Sequence, residues 1–120
     1  EFYGKWTVGD AVFEVTLTDN VTVTEDEELE FYPSAYPYGA LTMKSQVFPI
    51  DAENVTINLY LTSGSSVDFE VYINDVLATL ESESGLELTY NIDNVNSDTI
   101  TLKINGKDSS VINNVLFAIS

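Results

Sequence analysis

The run Val55-Thr56-Ile57-Asn58-Leu59-Tyr60-Leu61 puts an aliphatic side chain at every odd position and a polar side chain or tyrosine at every even one. A period of two is the mark of an extended strand with one face buried and one face wet. Val67-Asp68-Phe69-Glu70-Val71-Tyr72-Ile73 repeats the pattern. Each such strand keeps a polar face, so the pairing should be antiparallel with solvent outside, not a parallel sheet covered by helices. A helix needs apolar residues three and four apart, and no window of useful length has them.

The rest of the chain reads the same way. Val12 to Leu17 alternates with Phe13, Val15 and Leu17 on one face; Val21 to Thr24 follows, and Glu28 to Tyr32 turns Leu29 and Phe31 inward. Leu41 to Phe48 resumes extended structure, ended by Pro49. Asn74-Asp75 tolerates the positive φ of a two-residue hairpin turn, so Val76 to Leu80 should fold straight back. Glu81 to Gly85 reads as a polar connection. Leu86 to Ile92, then Ile100 to Ile104, then Val111 to Ala118 complete the set, with Asn105-Gly106 the strongest turn dipeptide of the chain. About ten short strands exceed a usual single sheet, and two stacked sheets are expected. The fold class is therefore all-β: an antiparallel two-sheet β-sandwich, jelly-roll-like. The 120 residues fit one domain, residues 1–120, which reads as excised from a larger protein.

Composition narrows the chemistry. The chain has 20 acidic residues against four lysines, no arginine, and a net charge of −16. That balance repels nucleic acid and anionic membrane surfaces, and no run approaches the length of a membrane span. With no arginine there is no bidentate clamp for phosphate. With no cysteine or histidine there is no disulfide, no thiolate or imidazole metal site, and no histidine general base. Glu81 and Glu83 do not make a glycosidase, which needs two carboxylates across a substrate cleft. A non-catalytic domain is expected.

The segments Val67 to Leu80 (VDFEVYINDVLATL) and Asp98 to Ser120 (DTITLKINGKDSSVINNVLFAIS) resemble the central hairpin and closing strands of jelly-roll carbohydrate-binding modules, which share a galactose-binding-like sandwich. The closing strand matches at Ile112-Asn113-Asn114-Val115 and Phe117. This resemblance implies a jelly roll and sugar binding, within a secreted, cell-surface or phage tail protein. It also implies calcium near the first and last strands, although the usual acidic residue of the closing strand is Asn113 or Asn114 here.

Candidate sugar-binding residues follow from aromatic faces that stack on the C–H faces of sugars. Phe31-Tyr32-Pro33-Ser34-Ala35-Tyr36-Pro37-Tyr38 supplies Tyr32, Tyr36 and Tyr38 on a proline-restricted loop, or alternatively a lid on the core. Trp6, the sole tryptophan, is either a platform or a core plug. Tyr60 and Tyr72 fall on the polar faces of their strands; were those strands neighbours, they would form one platform flanked by Asn58, Asp68 and Glu70, or a cross-strand pair. For calcium the oxygen clusters are Glu25, Asp26, Glu27 and Glu28, and Asp51, Glu53 and Asn54, each otherwise a solvated loop. The expected partners are a polysaccharide or cell-surface glycan and flanking domains of the parent protein, outside the cell or on a virion. The alternative is a structural or assembly module without a small ligand.

Overall fold

The computed structural model describes the backbone of residues 3–8, 11–18, 21–23, 28–31, 39–45, 51–107 and 109–119, and the side chains of 21, 28–31, 42, 51–107, 109–116 and 118–119. The alternating runs become strands β1 (Tyr3–Val8), β2 (Ala11–Thr18), β3 (Val21–Val23), β4 (Leu29–Phe31), β5 (Gly39–Ser45), β6 (Val55–Ser63), β7 (Phe69–Ile73), β8 (Val76–Leu77), β9 (Thr79–Ser84), β10 (Glu87–Ile92), β11 (Thr101–Gly106) and β12 (Ser110–Ile119). The first sheet has the order β1-β2-β5-β11-β7-β8 and the second β3-β4-β12-β6-β10-β9. Every pairing between these strands is antiparallel.

The connectivity is that of a jelly roll. The four-strand sets β4-β12-β6-β10 and β5-β11-β7-β8 lie one in each sheet, and from β4 to β7 each successive strand changes sheet. β1 and β2 extend the first sheet beyond β5, and β3 extends the second beyond β4. β1 and β9 are strands that the alternation did not mark. β9 (TLESES) is exposed along its whole length, so it has no buried face to impose an apolar period, which is why Glu81 to Gly85 resembled a connection. The expected single strand from Val76 to Leu80 divides at Ala78, a buried residue where the chain leaves the first sheet for the second.

The core lies between the sheets. β6 contributes Val55, Ile57, Leu59 and Leu61, β10 contributes Leu88 and Tyr90, and the facing β7 and β11 contribute Phe69, Val71, Ile73, Leu102 and Ile104. Each fully buried aliphatic stabilises the fold by about 1.5–3 kcal/mol relative to exposure. Phe31 of β4 meets Phe69 of β7 edge to face, with ring centroids 5.7 Å apart. This contact ties the two sheets together.

Two turns follow their residues. Asn74 and Asp75 have φ of 47° and 67°, the double positive φ of a type I′ hairpin, as the dipeptide predicted. Gly85 (φ 59°) and Leu86 join β9 to β10; positive φ at the first residue alone is the type II′ pattern. Asn105-Gly106 is not a turn. Gly106 ends β11 without positive φ; beyond it Ser109 takes φ 66° and Ser110 Oγ donates to the Lys107 carbonyl at 2.7 Å. Glycine is required at 106 for space, because a Cβ there would come within 2.6–2.9 Å of the Phe31 ring.

Candidate functional site

The sandwich separates Tyr60 from Tyr72. β6 belongs to the second sheet and β7 to the first, so the two outward-facing rings lie on opposite faces of the molecule and cannot form one platform. Alternation told which side of its strand each tyrosine occupies, but not which sheet the strand joins. Trp6 stands on β1, opposite Phe13 of β2, with its side chain outside the described residues. Tyr32, Tyr36, Tyr38, Glu25, Asp26 and Glu27 also lie outside them. Asp51 and Glu53 are exposed on either side of Ala52, which bridges to Ser97. Among the described residues no group of three acidic side chains is placed to hold a metal ion.

The outer face of the second sheet gathers polar groups around Tyr60. Register sets Glu87, Tyr60 and Asn114 in one row across β10, β6 and β12, with Thr89, Asn58 and Leu116 in the next and Asn91, Thr56 and Ala118 beyond. Neighbouring strands are about 4.8 Å apart, so these rows make a continuous patch. The Tyr60 hydroxyl is held above its ordinary pKa by loss of solvent, then by its hydrogen bond to Glu87 and that carboxylate's charge. Thr56 Oγ1 donates to Asn91 Oδ1 at 3.1 Å. A bulge in β12 at Asn113 shapes the far edge. Asn113 Nδ2 donates to Thr62 Oγ1 at 3.1 Å and Thr62 Oγ1 to Glu28 Oε1 at 2.8 Å, while Asn114 Oδ1 accepts from the Val115 amide. Asn114 thus stands in the Tyr60 row, and Asn113 beside it reaches Thr62.

Tyr72, on the other face, is already engaged. Lys103, its cross-strand partner on β11, holds Nζ 5.9 Å from the ring centroid, a cation–π distance. Its other cross-strand partner is Leu77 of β8.

A second feature lies where the sheets end at β8 and β9. A cleft of about 250 Å³ opens there, lined by Ser66 and Val67 of the 3-10 turn Ser66–Asp68, by Phe69, Glu70 and Val71, by Leu77, Ala78 and Leu80, and by Tyr90. Two local devices build it. The chain changes sheet at Ala78, whose amide still donates to the Val71 carbonyl at 2.8 Å. A bulge between β9 and β10 then pairs Leu80 with Tyr90 and Glu83 with Leu88, so Leu80 and Glu83, three residues apart, both lie on the inner side. From there the Glu83 carboxylate crosses to the other sheet's loop, accepting from the Ser66 amide at 3.0 Å and from Ser66 Oγ at 2.7 Å. These two bonds hold the Glu83 carboxyl below its usual pKa. Tyr90 is 4% exposed, and its hydroxyl is buried with no partner among the described residues. Burial, and secondarily the Glu83 charge, push its pKa up to about 12. Neither Tyr90 nor Glu83 was a sequence candidate for binding. Tyr90 looked like an inward strand residue, which it is; what makes it notable, the missing partner, is a property of the packed fold.

No protein-family model, no curated protein and no solved structure matches this chain.

Proposed function

We propose that the chain is a non-catalytic glycan-binding module that takes neutral sugars on the outer face of the second sheet. The Tyr60 patch carries this reading: a half-buried aromatic ring in the middle of a sheet, set among the carboxylate of Glu87, the amides of Asn58 and Asn114 and the hydroxyl of Thr89. An aromatic face supplies apolar contact to the C–H side of a pyranose, and carboxylate and amide groups beside it take the hydroxyls. The net charge of −16 favours uncharged sugars over anionic ones. Jelly-roll topology and the likeness of the closing strands to carbohydrate-binding modules support the same reading.

A glycan array probed with the intact chain and with Tyr60→Ala tests it. Retention on neutral glycans, weakened about tenfold or more by the substitution, is the expected result. Equal binding by both proteins would remove Tyr60 from the site, and no retention on any neutral glycan would end the reading.

A further inference from the structure

We propose that the cleft between β7-β8 and β9-β10 is a second binding site, for a small uncharged molecule with an apolar body and one hydrogen-bond acceptor, which the Tyr90 hydroxyl recognises. The site is distinct from the Tyr60 patch: it opens at the edge between the sheets, not on the outer face of one.

Shape and lining set the body of the ligand. The cleft's 250 Å³ corresponds to roughly eight to ten non-hydrogen atoms, taking about 30 Å³ for a water-sized group. Its walls are Val67, Phe69, Val71, Leu77, Ala78 and Leu80. Val67 and Leu77 are 73% and 56% exposed. They form an apolar rim that only an apolar occupant would desolvate with profit.

The polar groups set its single handle. Ser66 has both its amide and its hydroxyl committed to Glu83. Glu70 Oε1 lies 3.5 Å from its donor, Asn105 Nδ2. The Tyr90 hydroxyl alone among these is buried without a partner among the described residues, a condition that is unfavourable unless something bonds to it. Its proton is retained next to the Glu83 charge, so it acts as a donor and calls for an acceptor. Glu70 and Glu83 repel an anionic ligand from the same space.

The test is an NMR titration of the isotope-labelled chain with acetophenone, and with ethylbenzene as the same body without the carbonyl. Acetophenone should shift the amides of Leu77, Ala78, Leu80 and Tyr90 saturably, with a Kd on the order of 1 mM. Ethylbenzene should bind the same residues about fivefold more weakly, as one lost hydrogen bond predicts. Tyr90→Phe, which keeps the ring, should bring acetophenone down to the ethylbenzene level and leave ethylbenzene unchanged. Tyr60→Ala should alter neither, which separates this site from the glycan face. Absence of saturable shifts at these residues overturns the proposal, as does equal binding of acetophenone by the Tyr90→Phe chain. Shifts of the rim that follow protein concentration alone would make the cleft a self-association face and also overturn it.

Discussion

Gly106 shows how one residue can carry two contradictory signals. The dipeptide Asn105-Gly106 has turn chemistry, yet its glycine lies at the end of a strand because the Phe31 ring lies against its Cα. Gly106→Ala should therefore destabilise the fold by about 1–3 kcal/mol through overpacking, measured by urea denaturation. In a Phe31→Leu background the cost should shrink, and an unchanged cost would detach Gly106 from Phe31. Tyr90 gives a pH signature. Its phenol, pushed up to about 12 in the folded chain, stays protonated after the unfolded chain begins to ionise near 10. The contribution is complete below the unfolded value and is lost as pH rises through the folded one. The drop in denaturation midpoint between about pH 9 and about pH 11.5 should be smaller in Tyr90→Phe than in the parent. At this scale the inward and outward assignments on β6 and β7 were legible, because period two acts on neighbouring residues. The Gly106 contact and the orphaned Tyr90 hydroxyl were not, because each depends on a residue distant in sequence.

Among the elements, β9 decides the character of the open edge. It is an edge strand carrying Glu81 and Glu83, charges that discourage pairing with another copy, and it is joined to the opposite sheet by the Glu83–Ser66 bonds. Because Glu83 titrates below its ordinary value, what it contributes is present above the unfolded carboxyl pKa and disappears as pH falls through the folded one. Ser66→Ala removes the hydroxyl donor but leaves the amide. The Glu83 carboxyl pKa, followed by side-chain carbon NMR, should move up toward the ordinary value; no movement would mean the clasp does not form in solution. Hairpins with turn chemistry were legible in advance, as Asn74-Asp75 demonstrates. An exposed edge strand such as β9 was not, since nothing apolar alternates along it, and the bulge that turns Glu83 inward has no signature of its own.

For the whole molecule, alternation and turn residues sufficed for an antiparallel sandwich, and the strand order makes it a jelly roll. They did not suffice for the site. Grouping Tyr60 with Tyr72 required knowing which sheet each strand joins, a long-range choice made by inter-strand pairing and sheet crossovers. Once those are in place, Tyr72 pairs with Lys103 on one face, and Tyr60 lies among Glu87, Asn58 and Asn114 on the other. The central claim is that this second face binds neutral glycan. Isotope-edited NMR with a neutral oligosaccharide that the chain retains on an array tests it most directly. The account predicts saturable shifts at Asn58, Tyr60, Glu87, Thr89 and Asn114, with Tyr72 and Lys103 unmoved. Shifts centred on Tyr72 and Lys103, with the Tyr60 face unmoved, would contradict it.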